Sequence, residues 1–153
     1  MSYMHSNYNP KKHSIFIPKN KKKYIGKQWP IARSGLEYKY MEMLDTDSKV
    51  IQWSSESFYI PYMLQRKRKH YFPDFYVRIK DPLIGEETSI IELKPFKETI
   101  PPTPGKNKSR KTKLYENFTW KKNQAKWKAA RNYCNKMGWK FKIITEKDIF
   151  HKH

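Results

Sequence analysis

The chain has 153 residues, enough for one domain with a real core and too few for two. Lysine and arginine number 33 against 14 acidic residues, a formal charge of +19, and such an excess is best tolerated beside a polyanion, so nucleic acid is the expected partner. A lone Cys134 excludes an internal disulfide and a cysteine-based zinc site, and no apolar run approaches the roughly 20 residues of a membrane span. With no signal-like apolar segment at the start, the expectation is a soluble, non-secreted protein of a reducing cytosol with no membrane partner.

Residues 1–30 are dominated by Asn, Lys and Pro without helical or strand period, and read as a basic arm that is ordered only if it drapes over the core or binds DNA. From Ser34, the positions Leu36, Tyr40, Met43 and Leu44 recur as one apolar helical face that should end near Asp45. Val50 to Trp53 and Phe58 to Tyr62 have strand composition. Gln65 to His70 reads as a basic tip, and Tyr71 to Lys80 resumes strand composition, so the flanks should form a hairpin.

Thr88 to Lys94 is a further strand, stopped by Pro95, which has no N–H to give a ladder. Residues 96–114, rich in Pro and Lys, read as a mobile basic flap. From Tyr115 to Met137, Phe118, Ala125, Ala129 and Tyr133 supply a helical face, with Gly138 placed as a C-cap. Trp139 to Ile144 alternates as a last strand, and the sum is an α/β sheet flanked by helices.

Four features belong to one chemistry: Glu37 on the first helix, Pro73-Asp74 after the basic tip, and Glu92-Leu93-Lys94 on the next strand. A hard divalent cation takes one or two carboxylates, waters and phosphate oxygens. Glu92 and Lys94, two apart on a strand, share a face about 7 Å apart, so the lysine would stand beside any metal held by Glu92 and assist the attacking water. Leu93 should be core. Each motif also has an ordinary reading: a turn acid at Asp74, a solvated ion pair at Glu92 and Lys94, and a capping box at Ser34-x-x-Glu37.

The Pro73-Asp74 and Glu92-Leu93-Lys94 motifs resemble those of the PD-(D/E)xK nucleases. Arg33-Ser34-x-x-Glu37, Trp53-Ser54-Ser55-Glu56, Ile60-Pro61-Tyr62, Tyr71-Phe72-Pro73-Asp74-Phe75 and Ile144-Thr145-Glu146 resemble the head completion nucleases of contractile-tailed phages, across residues 31–150. The resemblance implies a restriction-endonuclease-like α-β-β-β-α-β core with a mixed central sheet, and a TnsA-like nuclease as enzymatic relative. It implies a Mg²⁺- or Mn²⁺-dependent endonuclease that trims DNA at a filled capsid, in the host cytoplasm or with the virion, beside head or portal proteins.

The site set is Glu37, Asp74 and Glu92 for metal, with Lys94 and the helix residue Gln124, whose neighbour on that face is Lys128. Arg33, the run Arg66, Lys67, Arg68 and Lys69, and the run Lys106, Lys108, Arg110, Lys111 and Lys113 have the composition of phosphate contacts, which position DNA without reading its sequence. His70, His151 and His153 lack companions at metal-binding spacing and read as surface residues. The rival functions are a non-catalytic DNA-binding plug and a junction-resolving or recombination nuclease.

Overall fold

Four strands form the central sheet of the computed structural model, which describes residues 13–150. In chain order, the short strands β1 (Ser14–Ile15) and β2 (Ile31–Ala32) pair antiparallel ahead of helix α1 (Gly35–Thr46). Strands β3 (Val50–Ser55), β6 (Phe75–Asp81), β7 (Gly85–Leu93) and β8 (Lys140–Ile144) make the sheet in the order β3-β6-β7-β8. The pairs β3/β6 and β6/β7 are antiparallel and β7/β8 is parallel, the return to β8 passing through helix α2 (Arg110–Met137). Strands β4 (Ile60–Leu64) and β5 (Lys67–Tyr71) form a separate antiparallel hairpin between β3 and β6. Setting that hairpin aside, the order is α-β-β-β-α-β with a mixed sheet between helices, a restriction-endonuclease-like core. A final short helix, α3 (Glu146–Phe150), follows β8.

The strand period decides what each face meets. Ile91 and Leu93 of β7 belong to the main core with Tyr38, Met41 and Leu44 of α1, Val50 and Trp53 of β3, and Phe75 and Val77 of β6. By alternation, Ile90 and Glu92 face the opposite side, toward α2. Val50 and Trp53 share a face although three apart, because a register shift between Val50 and Gln52 inserts the extra residue. Trp53 is fully buried and meets Phe16, Tyr24 and Phe75 at ring-centroid distances of 6.1, 4.8 and 6.1 Å; each such pair adds ~1 kcal/mol beyond its buried area. On the other side, Ile60, Tyr62 and Tyr71 of the hairpin pack with Ala130 of α2.

Several expectations change in three dimensions. Residues 13–32 are part of the folded body: Phe16 and Tyr24 sit in the main core, and Tyr24 bridges to Trp53. The stretch 1–12 of the expected arm, and His151 and His153, lie outside the described residues. Asp45, almost fully buried, holds this strap by accepting the amides of Lys19 and Asn20 at 2.9 and 3.0 Å. The buried face of α1 is Tyr38, Met41, Leu44 and Asp45, and Met43 is exposed. Tyr40 packs its ring on Phe75 instead.

The hairpin turn is only Gln65-Arg66, both at positive φ (51° and 64°), so Lys67 to His70 are strand and not tip. Tyr71 to Lys80 is not one strand. It breaks at Phe72-Pro73-Asp74, where the proline has no N–H for a ladder, and β5 and β6 join different sheets. The 96–114 segment contains a 3-10 turn at Phe96–Thr99 and the start of α2, nucleated where the Ser109 side chain accepts the Thr112 amide. The buried face of α2 is Asn123, Trp127, Ala130 and Cys134, and Phe118 is exposed. Burial pushes the Cys134 thiol up to about 11. Gly138 caps the helix in the left-handed region (φ 74°), as its place in the sequence requires.

Asp45→Ala is expected to lower stability by about 2 kcal/mol, because it leaves two backbone amides without an acceptor, whereas Asp45→Asn, which keeps one oxygen, should be milder. Urea unfolding midpoints compare the two; equal midpoints for wild type and Asp45→Ala would show that the strap is not anchored through this carboxylate.

Candidate active site

Strand register builds the site. Phe75 pairs with Ile91 across β6 and β7, so one step further Asp74 stands opposite Glu92, where the ladder ends. Asp74 is held there by its own chemistry: Oδ2 accepts the Leu93 amide at 2.7 Å, and its carbonyl accepts the Glu56 amide at 3.1 Å. Glu92 is buried, and its Oε1 accepts the Tyr71 hydroxyl at 2.6 Å. On Oε2, Trp127 Nε1 lies at 3.5 Å and the Lys94 ammonium at 3.7 Å. Leu93 points into the core, as strand alternation requires.

These distances set the electrostatics. Burial, reinforced by the charge of Glu92 and further by Glu37, raises the Asp74 carboxyl well above its ordinary range, against the pull of the Leu93 amide and Lys94. Burial also raises Glu37, an effect opposed by the Arg33 amide and reinforced by Glu56. The Tyr71 phenol is driven far up by burial and by Glu92, so it stays protonated and acts as a donor. Lys126, whose ammonium lies 5.5 Å from the Tyr71 ring centroid, is lowered by burial and by Lys122, with Glu92 and Asp74 opposing.

Asp74, Glu92 and Lys94 are thus brought together, while the other expected members stand at different distances. Glu37 realises half of the capping box: the Ser34 hydroxyl accepts the Glu37 amide at 3.1 Å, but Glu37 Oε1 accepts the amide of Arg33, one residue before the N-cap, at 2.6 Å. Its charge is still felt at Asp74. The Arg33 guanidinium pairs with Glu56, a residue at positive φ (48°), so Arg33 links the start of α1 to the end of β3. Gln124 is half-buried on α2 and makes no hydrogen bond to the acids among the described residues, and Lys128 is exposed.

Trp127 of α2 and Tyr71 of the hairpin reach Glu92, and the charges of Glu92 and Asp74 are felt at Lys126. The expected Ala125, Ala129 and Tyr133 pack against the hairpin cluster, and the spacing of Asn123, Trp127 and Ala130 was the available signal for the most deeply buried face of α2. Tyr71 stands in the Tyr71-Phe72-Pro73-Asp74-Phe75 stretch that carries the resemblance, but its hydrogen bond to Glu92 depends on where the hairpin docks.

The donor set suits a hard divalent ion. Two adjacent carboxylates match the one or two that Mg²⁺ usually takes, and the donors on Glu92 Oε2, Trp127 Nε1 and the Lys94 ammonium, stand off at 3.5 and 3.7 Å. Among the described residues no three His, Cys, Asp or Glu side chains are grouped to grip an ion by themselves, so waters and phosphate oxygens would complete the shell.

Exposed basic side chains lie on two of the elements that contribute to the site. Lys67, Arg68, Lys69 and His70 are all exposed along β5, whose last residue is Tyr71, and Tyr59 stacks on His70 at 4.0 Å. Lys106, Arg110, Lys111 and Lys113 are exposed around the start of α2, whereas Lys108 is engaged with Glu116 and the Thr103 carbonyl. No helix among the described residues is long and apolar enough to cross a membrane.

The sequence is similar to those of known proteins. The family model of the TnsA-like endonuclease N-terminal domain matches residues 47–146, a stretch that contains Asp74, Glu92 and Lys94. The head completion nuclease of Enterobacteria phage T4 is 38% identical over 137 residues, which cover 86% of this chain and 89% of that protein. A mixed sheet with paired acids at the end of adjacent strands and a lysine two residues on is the frame such an enzyme needs, and the chain belongs to the TnsA-like endonuclease family.

Proposed function

We propose that the protein is a divalent-metal-dependent DNA endonuclease that processes DNA ends during phage head completion. The observation that carries the reading is the juxtaposition of Asp74 and Glu92, two carboxylates across one strand pair, with the Lys94 ammonium 3.7 Å from Glu92. The name of the phage T4 relative supplies the context of head completion, and with it a setting in the host cytoplasm or the virion, beside head or portal proteins.

Asp74 and Glu92 would hold Mg²⁺ or Mn²⁺, with Glu37 adding its charge from the start of α1. When bound, the ion supplies Lewis acidity toward a phosphate oxygen and lowers the pKa of a bound water. Tyr71 and Trp127 fix the Glu92 carboxylate by donating to its two oxygens, which is the orienting role such partners play behind a ligand. Lys94 orients the attacking water and offsets the charge that builds on the phosphate. Lys126, which feels the charge of the same carboxylates, adds a second cation to the approach of the phosphate. Gln124 is a supporting residue at one helical step from this group.

The exposed basic side chains of β5, with Arg66 at its turn, and of the α2 start hold the DNA backbone, and Arg33 contributes from the α1 side. Such contacts give affinity without sequence preference. A second reading, a DNA-binding plug without cleavage, draws on the absence of a three-ligand cluster among the described residues.

Glu92→Gln and Asp74→Asn are each expected to lower Mg²⁺-dependent cleavage by at least about a hundredfold while DNA retention in a mobility-shift assay stays intact. Retained cleavage in both would remove them from the chemistry, and a wild type inert on every DNA would favour the plug.

The acid limb of the rate profile should reflect Asp74. The carboxylate is the form that binds a cation, and burial and Glu92 raise its pKa, so activity at subsaturating Mg²⁺ should rise with pH through a midpoint above the ordinary carboxylate range. Saturating Mg²⁺ should move that midpoint down, since cation and proton compete. A midpoint that ignores Mg²⁺ concentration would argue that some other group controls the limb.

Replacing Lys67, Arg68 and Lys69 together by Ala should reduce the slope of log K against log salt by up to about 0.9 for each phosphate that the hairpin no longer neutralises. An unchanged slope would take the hairpin off the DNA.

A further inference from the structure

An open cavity of about 490 Å³ lies between residues 97–103, which follow Lys94, and the first half of α2. Its volume falls in the range of small-ligand sites, roughly 300–1,000 Å³. Two aromatic side chains on α2 line it, Tyr115 and Trp120. The Trp120 ring stands edge-on to Trp127, at 6.5 Å and 87°, and Trp127 is the residue whose indole N–H faces Glu92. The cavity therefore opens close to the proposed cleavage point, with one tryptophan between them.

Asn123 makes the cavity more than a surface dent. Its side chain is buried, with only 3% of the residue exposed, lines the cavity and has no hydrogen-bond partner among the described residues. Its amide atoms are not sealed from solvent, so they are available to donate to and accept from a ligand in the cavity. The charges nearby cancel: Lys108 is paired with Glu116 at 2.8 Å, and Lys97 and Glu98 stand together on the segment after Lys94. In a chain of net charge +19, a locally neutral, aromatic cavity with a free amide is unsuited to a phosphate. It suits a flat, uncharged ring with hydrogen-bonding edges.

We propose that this cavity receives an unpaired nucleobase of the DNA next to the phosphate being cut. The base stacks on Trp120 and Tyr115, and the Asn123 amide, donor and acceptor at once, bonds its edge in the way amides pair with bases. A base inside a duplex is stacked and cannot enter, so the site selects a single-stranded end or a nucleotide extruded from the helix. The inference rests on the proposed DNA-cleaving role for its context but is tested by binding, which needs no cleavage.

The probes are a blunt duplex, the same duplex with a single-stranded extension carrying 2-aminopurine, the same extension with an abasic nucleotide at that position, and a duplex with one bulged nucleotide. The full chain is titrated with each in buffer containing EDTA. The wild type should bind the extended duplex at least about fivefold more tightly than the abasic form, the gain expected of one stacked base, and should quench 2-aminopurine.

Trp120→Ala and Asn123→Leu should erase both effects and leave affinity for the blunt duplex unchanged, which also shows that the variants are folded. Tight binding of the bulged duplex would mark extrusion as a second route into the same pocket, and its failure would restrict the site to ends already single-stranded. Equal affinity for base and abasic extensions, or variants that keep the preference, would overturn the proposal. Loss of cleavage on every substrate with the base preference intact would sink the nuclease reading and spare the pocket.

Discussion

The register between β6 and β7 is the constraint on which the rest depends. Because Phe75 pairs with Ile91, Asp74 and Glu92 meet at the end of the ladder, and the Leu93 amide fastens Asp74 by a 2.7 Å hydrogen bond. A slip of one residue would turn every side chain of β7 to the other face, sending Glu92 into the aromatic core and Leu93 toward α2. The register is therefore enforced by Ile91 and Leu93, which pack into the core on the α1 side. Core packing and site geometry are one decision.

Two like charges held so close are a cost, and the protein distributes it. The raised Asp74 carboxyl records the strain of burial beside Glu92. Tyr71, Trp127 and Lys94 surround Glu92 with donors and positive charge, and each comes from a different element: the hairpin, helix α2 and the end of β7. Removing one partner of such a buried group is costlier than any single contact gains. That logic explains why the hairpin, which leaves the central sheet altogether, still has a fixed place: Tyr71 at its end is a partner of Glu92, and Tyr62 and Ile60 seat it on α2.

The surface is divided by the same geometry. Exposed cations line β5 and the start of α2, on elements whose other residues touch the acidic point. The segment after Lys94 borders the cavity lined by Tyr115, Trp120 and Asn123.

Local order and composition sufficed for much of this. The acids and the lysine, the Ser34 cap, the stop at Pro95, the Gly138 cap and the α-β-β-β-α-β order all follow from rules that act within a few residues, and a strand's period of two puts Leu93 in the core without further information. Other features were beyond such rules because they depend on which surfaces meet. On helix α2 the expected Ala125, Ala129 and Tyr133 pack against the hairpin cluster, but only docking buries Asn123, Trp127 and Ala130 and leaves Phe118 exposed. Residues 13–32 have no period of their own, yet Phe16 and Tyr24 complete the core around Trp53. Tyr71 reaches Glu92 only because the docked hairpin brings its hydroxyl there. The sequence by itself determined which chemical groups the protein carries and in what order. Tertiary structure alone decided which of them share a low-dielectric space, because that depends on contacts between segments whose separation along the chain no local propensity can sense.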